Sequence, residues 1–591
     1  MIDDKFSRWG KRRVLKRDGY RGTKIYESNI PPLLRYFHIQ NISPSGWIGF
    51  NSANATLPTI KKTTCDYEYS INYDRIQPVA NKEDTIPLVM CSFDIEASSS
   101  HGDFPLPKKS YKKLVMDILD YWDNHDMIDE DEDMQQSILR RIVLTAFEME
   151  DMEGIHKVFP KEPRRINYKY INSRIDKWLK EPVKHLMQGV HLEKIISETE
   201  GIDEDAWSRF GRRSKPRVKD TILDILNNTK YDRGDKLEDI DKTLVQGFPP
   251  LEGDKVTFIG STFTRVGEKE PYLKHCIVLD TCDEVDGLEI ESYKSEDHVL
   301  LAWRDLLQRE KPDVVLGYNI FGFDYPFMIA RAEELDCKDE FVQISRNIDE
   351  MCDIKKTNIK IASGVHELTY IAAPGLLPLD LYNYFRREVN LPSYKLDNVA
   401  SHFIGDMVQS YEQEDDVTLF KSKNLLGLQN RNYVRFEEIG NSTEYYADGK
   451  KFRVFDVNLG RGEFKIEGNI QPNQDKKIRW SLAKDDVSPQ DIFRLSNGTS
   501  ADRAVVATYC VMDCILTQLL AEKNDVLTGF TEMASICSVP ISFIIMRGQG
   551  IKLLSFIGKK CRELGILMPD IPKGKADESY EGAICLPPKC N

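Results

Sequence analysis

Met90-Cys91-Ser92-Phe93-Asp94-Ile95-Glu96-Ala97 is the stretch on which the fold of this 591-residue chain turns. It continues the apolar run Ile86-Pro87-Leu88-Val89, and the two together predict a buried strand. Side chains alternate across a strand, so Asp94 and Glu96 share one face. Two carboxylates on one face of a buried strand repel each other, and a divalent cation is the simplest way to keep both ionised. An Asp-x-Glu pair is also common on solvated surface, so this pair alone does not choose between a metal site and an ordinary exterior.

Composition narrows the field. A chain of this length predicts several domains, and 41% hydrophobic residues supply enough apolar surface for real cores. Lys and Arg number 81 against 95 Asp and Glu, a net charge of −14. That balance argues against a simple basic DNA-coating protein. It leaves room for a nucleic-acid enzyme with a local basic groove. No apolar run of about 20 residues is evident, so no membrane span is expected, and Met1-Ile2-Asp3-Asp4-Lys5 is not a signal peptide. Twelve cysteines show no zinc-like pairing; Cys510 and Cys514 lie one helical turn apart without a second pair nearby. Reduced thiols in an intracellular compartment are expected.

Residues 1–24 are strongly basic, which fits either a solvated start or phosphate contact. Residues 1–85 read as a mixed α+β N-terminal domain, with Pro31-Pro32 just inside a helix start. After the Asp94 strand, residues 105–250 turn charged and helix-like. They include an acidic tract, Asp129 to Asp133, expected to be a solvated face, and a basic stretch, Trp207 to Lys219, suited to DNA or a partner. This block is expected to be a helical insertion into an α/β core. The core resumes with strands at Lys255–Phe263 and Leu273–Leu279, a helix at Ser295–Glu310 and a strand at Asp313–Tyr318. A turn then leads to Asp324 and a helix through Glu334. Residues 379–406 read as mostly helical and Phe420–Gly468 as hairpins. Ala501–Glu522 reads as a long helix capped by Ser500 or Asp502. Glu532–Leu567 reads as helix broken near Pro540 and Gly548, and Tyr580–Pro588 as a strand.

Tyr509 and Asp513 stand four apart on the long helix, which places a phenol and a carboxylate side by side. Alone this spacing also fits a helix with one locally satisfied tyrosine. Taken together, Asp94 and Glu96 on a strand, Asp324 at a helix start and Asp513 on a later helix are four carboxylates that can hold two divalent ions. Two metals about 3.5–4 Å apart can clamp a phosphodiester.

Phe93-Asp94-Ile95-Glu96, Gly317-Tyr318-Asn319-Ile320-Phe321-Gly322-Phe323-Asp324 and Tyr509-Cys510-Val511-Met512-Asp513 resemble, in order, the three exonuclease motifs of family B DNA polymerases. Tyr26-Glu27-Ser28-Asn29, Lys311-Pro312-Asp313-Val314 and Arg547-Gly548-Gln549 resemble the delta-type branch, and the overall wording resembles polymerases of large double-stranded DNA viruses. The resemblance implies a ribonuclease-H-like exonuclease domain over 86–104 and 251–530. It implies that Asp94, Glu96, Asp324 and Asp513 bind two Mg²⁺ or Mn²⁺ and that Tyr509 orients the attacking water. Asn319 would help hold the terminal nucleotide or a metal-bound water, and Phe323 would pack beside the terminal bases or support the site. The implied reaction removes a mispaired 3′ nucleotide as its monophosphate, at a site where aromatic side chains suit frayed single strands.

The implied partners are DNA, as a single-stranded 3′ end and a primer–template, a chain bearing palm, fingers and thumb, and a sliding clamp, with no membrane. The implied location is the cytoplasm or nucleus of a host cell. Two departures stand out. Met512 replaces the Lys that delta-type members often carry before the third-motif Asp, and no palm signature such as Tyr-Gly-Asp-Thr-Asp occurs. The expectation is therefore the N-terminal and exonuclease portion of such a polymerase, with residues 531–591 leading toward the palm. An assembly half that acts only with a palm-bearing chain, and a degenerate pseudo-enzyme, are the competing readings.

Overall fold

The computed structural model describes residues 26–569 apart from 80, 83, 85, 100–101, 184–219, 269, 362–363, 415, 441, 474 and 484–487. The basic start at 1–24, the basic stretch Trp207–Lys219 and the expected strand Tyr580–Pro588 lie outside the described residues.

The Asp94 stretch is a strand, β1 (Val89–Ser98), at the centre of a six-stranded mixed sheet. Its companions are β2 (Lys255–Arg265), β3 (Leu273–Leu279), β4 (Glu289–Tyr293), β5 (Val314–Gly317) and β8 (Leu377–Asp380). The spatial order is β8-β5-β1-β2-β3-β4. β1 and β2 pair antiparallel, β5 lies parallel to β1, and β8 lies parallel to β5. Between β5 and β8 the chain makes a hairpin, β6 (Asp353–Ile361) and β7 (Gly364–Ala372).

Alternation along the central strands feeds two cores. Cys91, Phe93, Ile95, Ile259 and Ile277 pack with α7 (Glu296–Glu310) and α8 (Asp324–Glu334) on one face. Phe258, Cys276 and Val278 pack with α11 (Pro489–Ser496) and α12 (Ser500–Lys523) on the other. The carboxylates of β1 point to the α12 face, because Phe93 and Ile95 take the opposite one. This is a ribonuclease-H-like α/β domain.

Before β2 come the helices of the charged block: α2 (Lys112–Asn124), α3 (Glu132–Ala146), α4 (Tyr168–Lys180), α5 (Ile222–Asn227) and α6 (Arg233–Gly247). They enclose a core of their own around Trp122, Ile142, Ile175, Trp178 and Leu244. The acidic tract 129–133 is exposed, and Asp131 caps α3 by accepting the Met134 N–H at 2.8 Å. Arg331 anchors the block's first loop by donating to the Pro107 carbonyl at 3.1 Å. Upstream, α1 (Pro32–Gln40) begins on a proline at its first position, where a missing N–H costs nothing.

The segment expected to form hairpins is part of a closed barrel. After the helices α9 (Leu381–Glu388) and α10 (Leu396–Phe403), the chain forms β9 (Gly405–Glu414), β10 (Val417–Ser422), β11 (Tyr433–Ile439), β12 (Thr443–Tyr445), β13 (Phe452–Asn458), β14 (Glu463–Glu467) and β15 (Lys477–Ala483). The order β11-β13-β14-β10-β9-β15 returns to β11, and every pairing is antiparallel. Phe420, Phe436, Phe452, Phe464 and Trp480 fill the interior in a chain of ring contacts 4.7–5.6 Å apart. Closure leaves no open sheet edge on these six strands.

Two expectations need correction. The helix cap is Thr499, not Ser500 or Asp502: Thr499 Oγ1 accepts the Asp502 N–H, and Asp502 accepts the Thr499 N–H at 2.8 Å, a reciprocal box. An apolar run long enough to cross a membrane does occur, in α12. It is apolar nearly all round because the sheet covers one side and the core of barrel and C-terminal helices covers another, which is how a buried central helix reads. The C-terminal helices are α13 (Val526–Cys537), α14 (Ile541–Met546) and α15 (Gln549–Glu563), with breaks at Pro540 and Gly548. The ten described cysteines form no disulfide.

Candidate active site

Asp94 and Glu96 are half-buried on β1, and the ladder to β2 shifts register directly after Glu96. Such a bulge twists a strand and re-aims the side chains beside it. Asp94 pairs across the ladder with Gly260. A side chain at 260 would meet α12, so glycine lets that helix settle against the sheet. The close approach carries Asp513 to the strand carboxylates. Carboxylate oxygens of Asp94, Glu96 and Asp513 all lie within 4.8 Å of one another.

Asp324 arrives from the other side. It opens α8, where the positive end of the helix favours a carboxylate. Its Oδ1 accepts the Ile95 N–H at 3.2 Å, on the strand residue between Asp94 and Glu96. Burial pushes its pKa up to about 7, against the backbone hydrogen bonds that favour the charged form. Asp324 thus stands next to the three-carboxylate group and outside the 4.8 Å cluster.

The turn before Asp324 is tightly built. Asn319 sits at φ +65°, and its carbonyl accepts the N–H groups of Gly322 and Phe323 at 3.0 and 2.9 Å. Phe323 stands between Phe104 and Phe327, each at 5.4 Å, and Phe104 is exposed. Tyr509 is half-buried and, with Met512 and Asp513, lines a cavity of about 520 Å³.

Sequence reasoning missed Asp380. This fully buried carboxylate accepts the N–H groups of Asn319, Phe321 and Tyr382 at 2.8, 3.1 and 2.9 Å, and the Asn383 side-chain amide at 3.0 Å. It caps α9 and pins the Asn319 turn at once. Burial pushes its pKa up to about 6, against those four hydrogen bonds. The available signal was an acidic residue between an apolar strand and a helix, the pattern of an N-cap.

An all-carboxylate set with partly buried members is a hard-oxygen site, suited to Mg²⁺ or Mn²⁺ and poorly suited to softer ions. The clustered negative charge also calls for cations to offset it.

Comparison with known proteins agrees with this fold. The family model for DNA polymerase family B, exonuclease domain, matches residues 23–164 and 238–399. The chain belongs to DNA polymerase family B. The DNA polymerase of Phaeocystis pouchetii virus is 38% identical over 98% of this chain and 59% of its own length. The DNA polymerase of Pyramimonas orientalis virus is 34% identical over 95% of this chain and 44% of its own. The DNA polymerase delta catalytic subunit of Dictyostelium discoideum is 28% identical over 58% of this chain and 24% of its own. The chain therefore spans about half the length of the viral relatives it matches. The family match stops before the barrel and α12, and it omits residues 165–237 within the helical block.

Proposed function

We propose that the chain is the 3′–5′ proofreading exonuclease portion of a replicative DNA polymerase. The observation that carries this is the meeting of Asp94, Glu96 and Asp513 within 4.8 Å, beside Asp324, in a family B exonuclease domain. Asp94, Glu96, Asp324 and Asp513 would hold two Mg²⁺ or Mn²⁺ ions, which when bound supply charge neutralisation for phosphodiester hydrolysis. Tyr509 orients the attacking water through its hydroxyl. Asn319 holds the terminal nucleotide, and exposed Phe104, backed by half-buried Phe323, offers a stacking surface for a frayed base. A mispaired terminus frays more easily, so selectivity needs no sequence readout. The charged helical block at 105–250 is an insertion into this domain, and residues 531–591 lead toward a palm. In this reading the protein works inside the host cell, with primer–template DNA and a sliding clamp as partners.

A second reading is that the nuclease acts only with a palm-bearing chain. One experiment addresses both. A 5′-labelled single strand is incubated with the purified chain and Mg²⁺ or Mn²⁺, beside Asp94→Ala/Glu96→Ala and Asp513→Ala. A ladder from the 3′ end, made only by the unmutated chain, is expected. A ladder that appears only after the palm-bearing half is added supports the second reading. Equal cleavage by the variants would sink the site assignment.

A further inference from the structure

The cavity beside Tyr509 and Asp513 has a second wall that the nuclease chemistry does not use. That wall is the barrel. Arg431, Tyr433 and Arg453 line it from the barrel side, and Lys274 lines it from β3. Tyr433 and Arg453 are direct cross-strand partners on β11 and β13, and they face outward because their neighbours Val434 and Phe452 fill the barrel interior. An aromatic face and a guanidinium therefore stand side by side. Among the described residues, Arg431, Arg453 and Lys274 form no ion pair. The acidic groups in the lining are Asp286 and Asp513.

Arg431 also holds an uncommon backbone. Its φ is +73°, in the left-handed region that a non-glycine residue rarely adopts. Hydrogen bonds fix it there: Arg431 N–H donates to the Val454 carbonyl at 2.8 Å, and Val454 N–H donates to the Asn432 carbonyl at 2.8 Å. The long cation is thus presented from a rigid base at the cavity mouth. A space of about 520 Å³ is within the range of sites that enclose a single small ligand, roughly 300–1,000 Å³. It is too small for a duplex. Arg431 and Arg453 on the barrel wall and Asp513 on α12 give a polyanion a direction, with its reacting end at Asp513 and its trailing phosphates at the barrel.

Resting on the nuclease reading, we infer that the barrel is a guide for single-stranded DNA. Arg431, Arg453 and Lys274 take the backbone phosphates just 5′ of the terminal nucleotide, and Tyr433 stacks a base there. The closed, aromatic-filled barrel makes this wall stiff, so its cations are held in place without a partner chain.

The test is binding, read separately from cleavage. In the Asp94→Ala/Glu96→Ala background, fluorescence anisotropy follows a 5′-fluorescein single strand of about twelve nucleotides, within ordinary site sizes. Adding Arg431→Ala/Arg453→Ala should raise the dissociation constant roughly tenfold. It should also flatten the salt dependence by about 1.4 in slope, the value for two lost single-strand phosphate contacts. Arg461→Ala/Lys477→Ala removes two exposed barrel cations that do not line the cavity and should leave both quantities within about twofold. In the unmutated background, Arg431→Ala/Arg453→Ala should raise KM and leave kcat nearly unchanged. No single-strand binding by the parent, or affinity and salt slope unchanged in Arg431→Ala/Arg453→Ala, or equal loss in the control, overturns the inference. Binding with these losses but without cleavage by the unmutated chain upholds the guide and counts against the nuclease reading alone.

Discussion

Cys510 rests directly on Gly260. A Cβ built at 260 would stand 2.8 Å from Cys510 Sγ and 3.1 Å from its carbonyl carbon, and the Cys510 thiol donates to the Asp94 carbonyl at 3.5 Å. Because Gly260 is also the ladder partner of Asp94, this contact sets the distance between α12 and the strand carboxylates. Gly260→Ala should push the helix outward. The expected cost is about 1–3 kcal/mol of stability, with a larger fractional loss of nuclease rate. Urea midpoints and initial rates, taken where both proteins are folded, check this. An unchanged rate in a destabilised variant would separate helix seating from catalysis.

Asp380 fixes the turn that delivers Asn319 and Asp324. Asp380→Asn keeps the shape and gives up part of the acceptor capacity. The nuclease rate should fall about 100-fold, the scale of a misplacement near 1 Å, while a folded protein remains. Circular dichroism and thermal melting establish folding, and single-turnover kinetics read the chemical step. A single-turnover rate within a few-fold of the parent would remove Asp380 from the positioning of the site.

Glu296 and Arg331 form a two-pronged ion pair at 2.8 and 2.6 Å with both side chains almost fully buried, joining α7 to α8. Glu296 also accepts the Val256 N–H at 2.8 Å, tying in the start of β2. Arg331→Met leaves a buried carboxylate without its cation and should cost about 3–5 kcal/mol. Adding Glu296→Leu should restore much of that. A double-mutant cycle by urea denaturation measures the coupling; strictly additive single effects would count against it.

His38 supplies a pH dependence far from the site. Its Nε2 lies 2.9 Å from Ser555 Oγ, joining α1 to α15. Burial first, then the nearby Arg35, Lys559 and Arg562 charges, pushes its pKa from 6.5 down to about 4. The unfolded chain therefore takes up this proton at a higher pH than the folded chain does. The contribution of His38 is intact above pH 6.5 and is lost as pH falls toward about 4. Urea midpoints at pH 7 and pH 5 should differ more for the parent than for His38→Gln. Equal differences would remove His38 as the cause.

What the sequence made legible were the features written locally. The strands at 89–98, 255–265 and 273–279 and the helix at 296–310 follow from alternation, β-branched content and an acidic first turn. The motif carboxylates are short-range text as well. The barrel was hidden because its closing ladder joins Tyr433–Ile439 to Lys477–Ala483, and hairpin patterns report only neighbours in the chain. The hairpin at 353–372 was missed because its first strand is rich in Lys, Thr and Asn and alternates weakly. Asp380 and Gly260 escaped notice for one reason: each acts through backbone that only the folded chain brings to it.

The spread of the cluster along the chain, from position 94 to position 513, bears on how the protein is made. Synthesis runs from the N-terminus at roughly 5–20 residues per second, so Asp94 and Glu96 leave the ribosome tens of seconds before α12 does. Until that last helix docks, the nascent chain carries only part of its carboxylate cluster. On the proposed nuclease reading, the order of synthesis keeps the cutting centre unassembled until the last helix of the domain is in place.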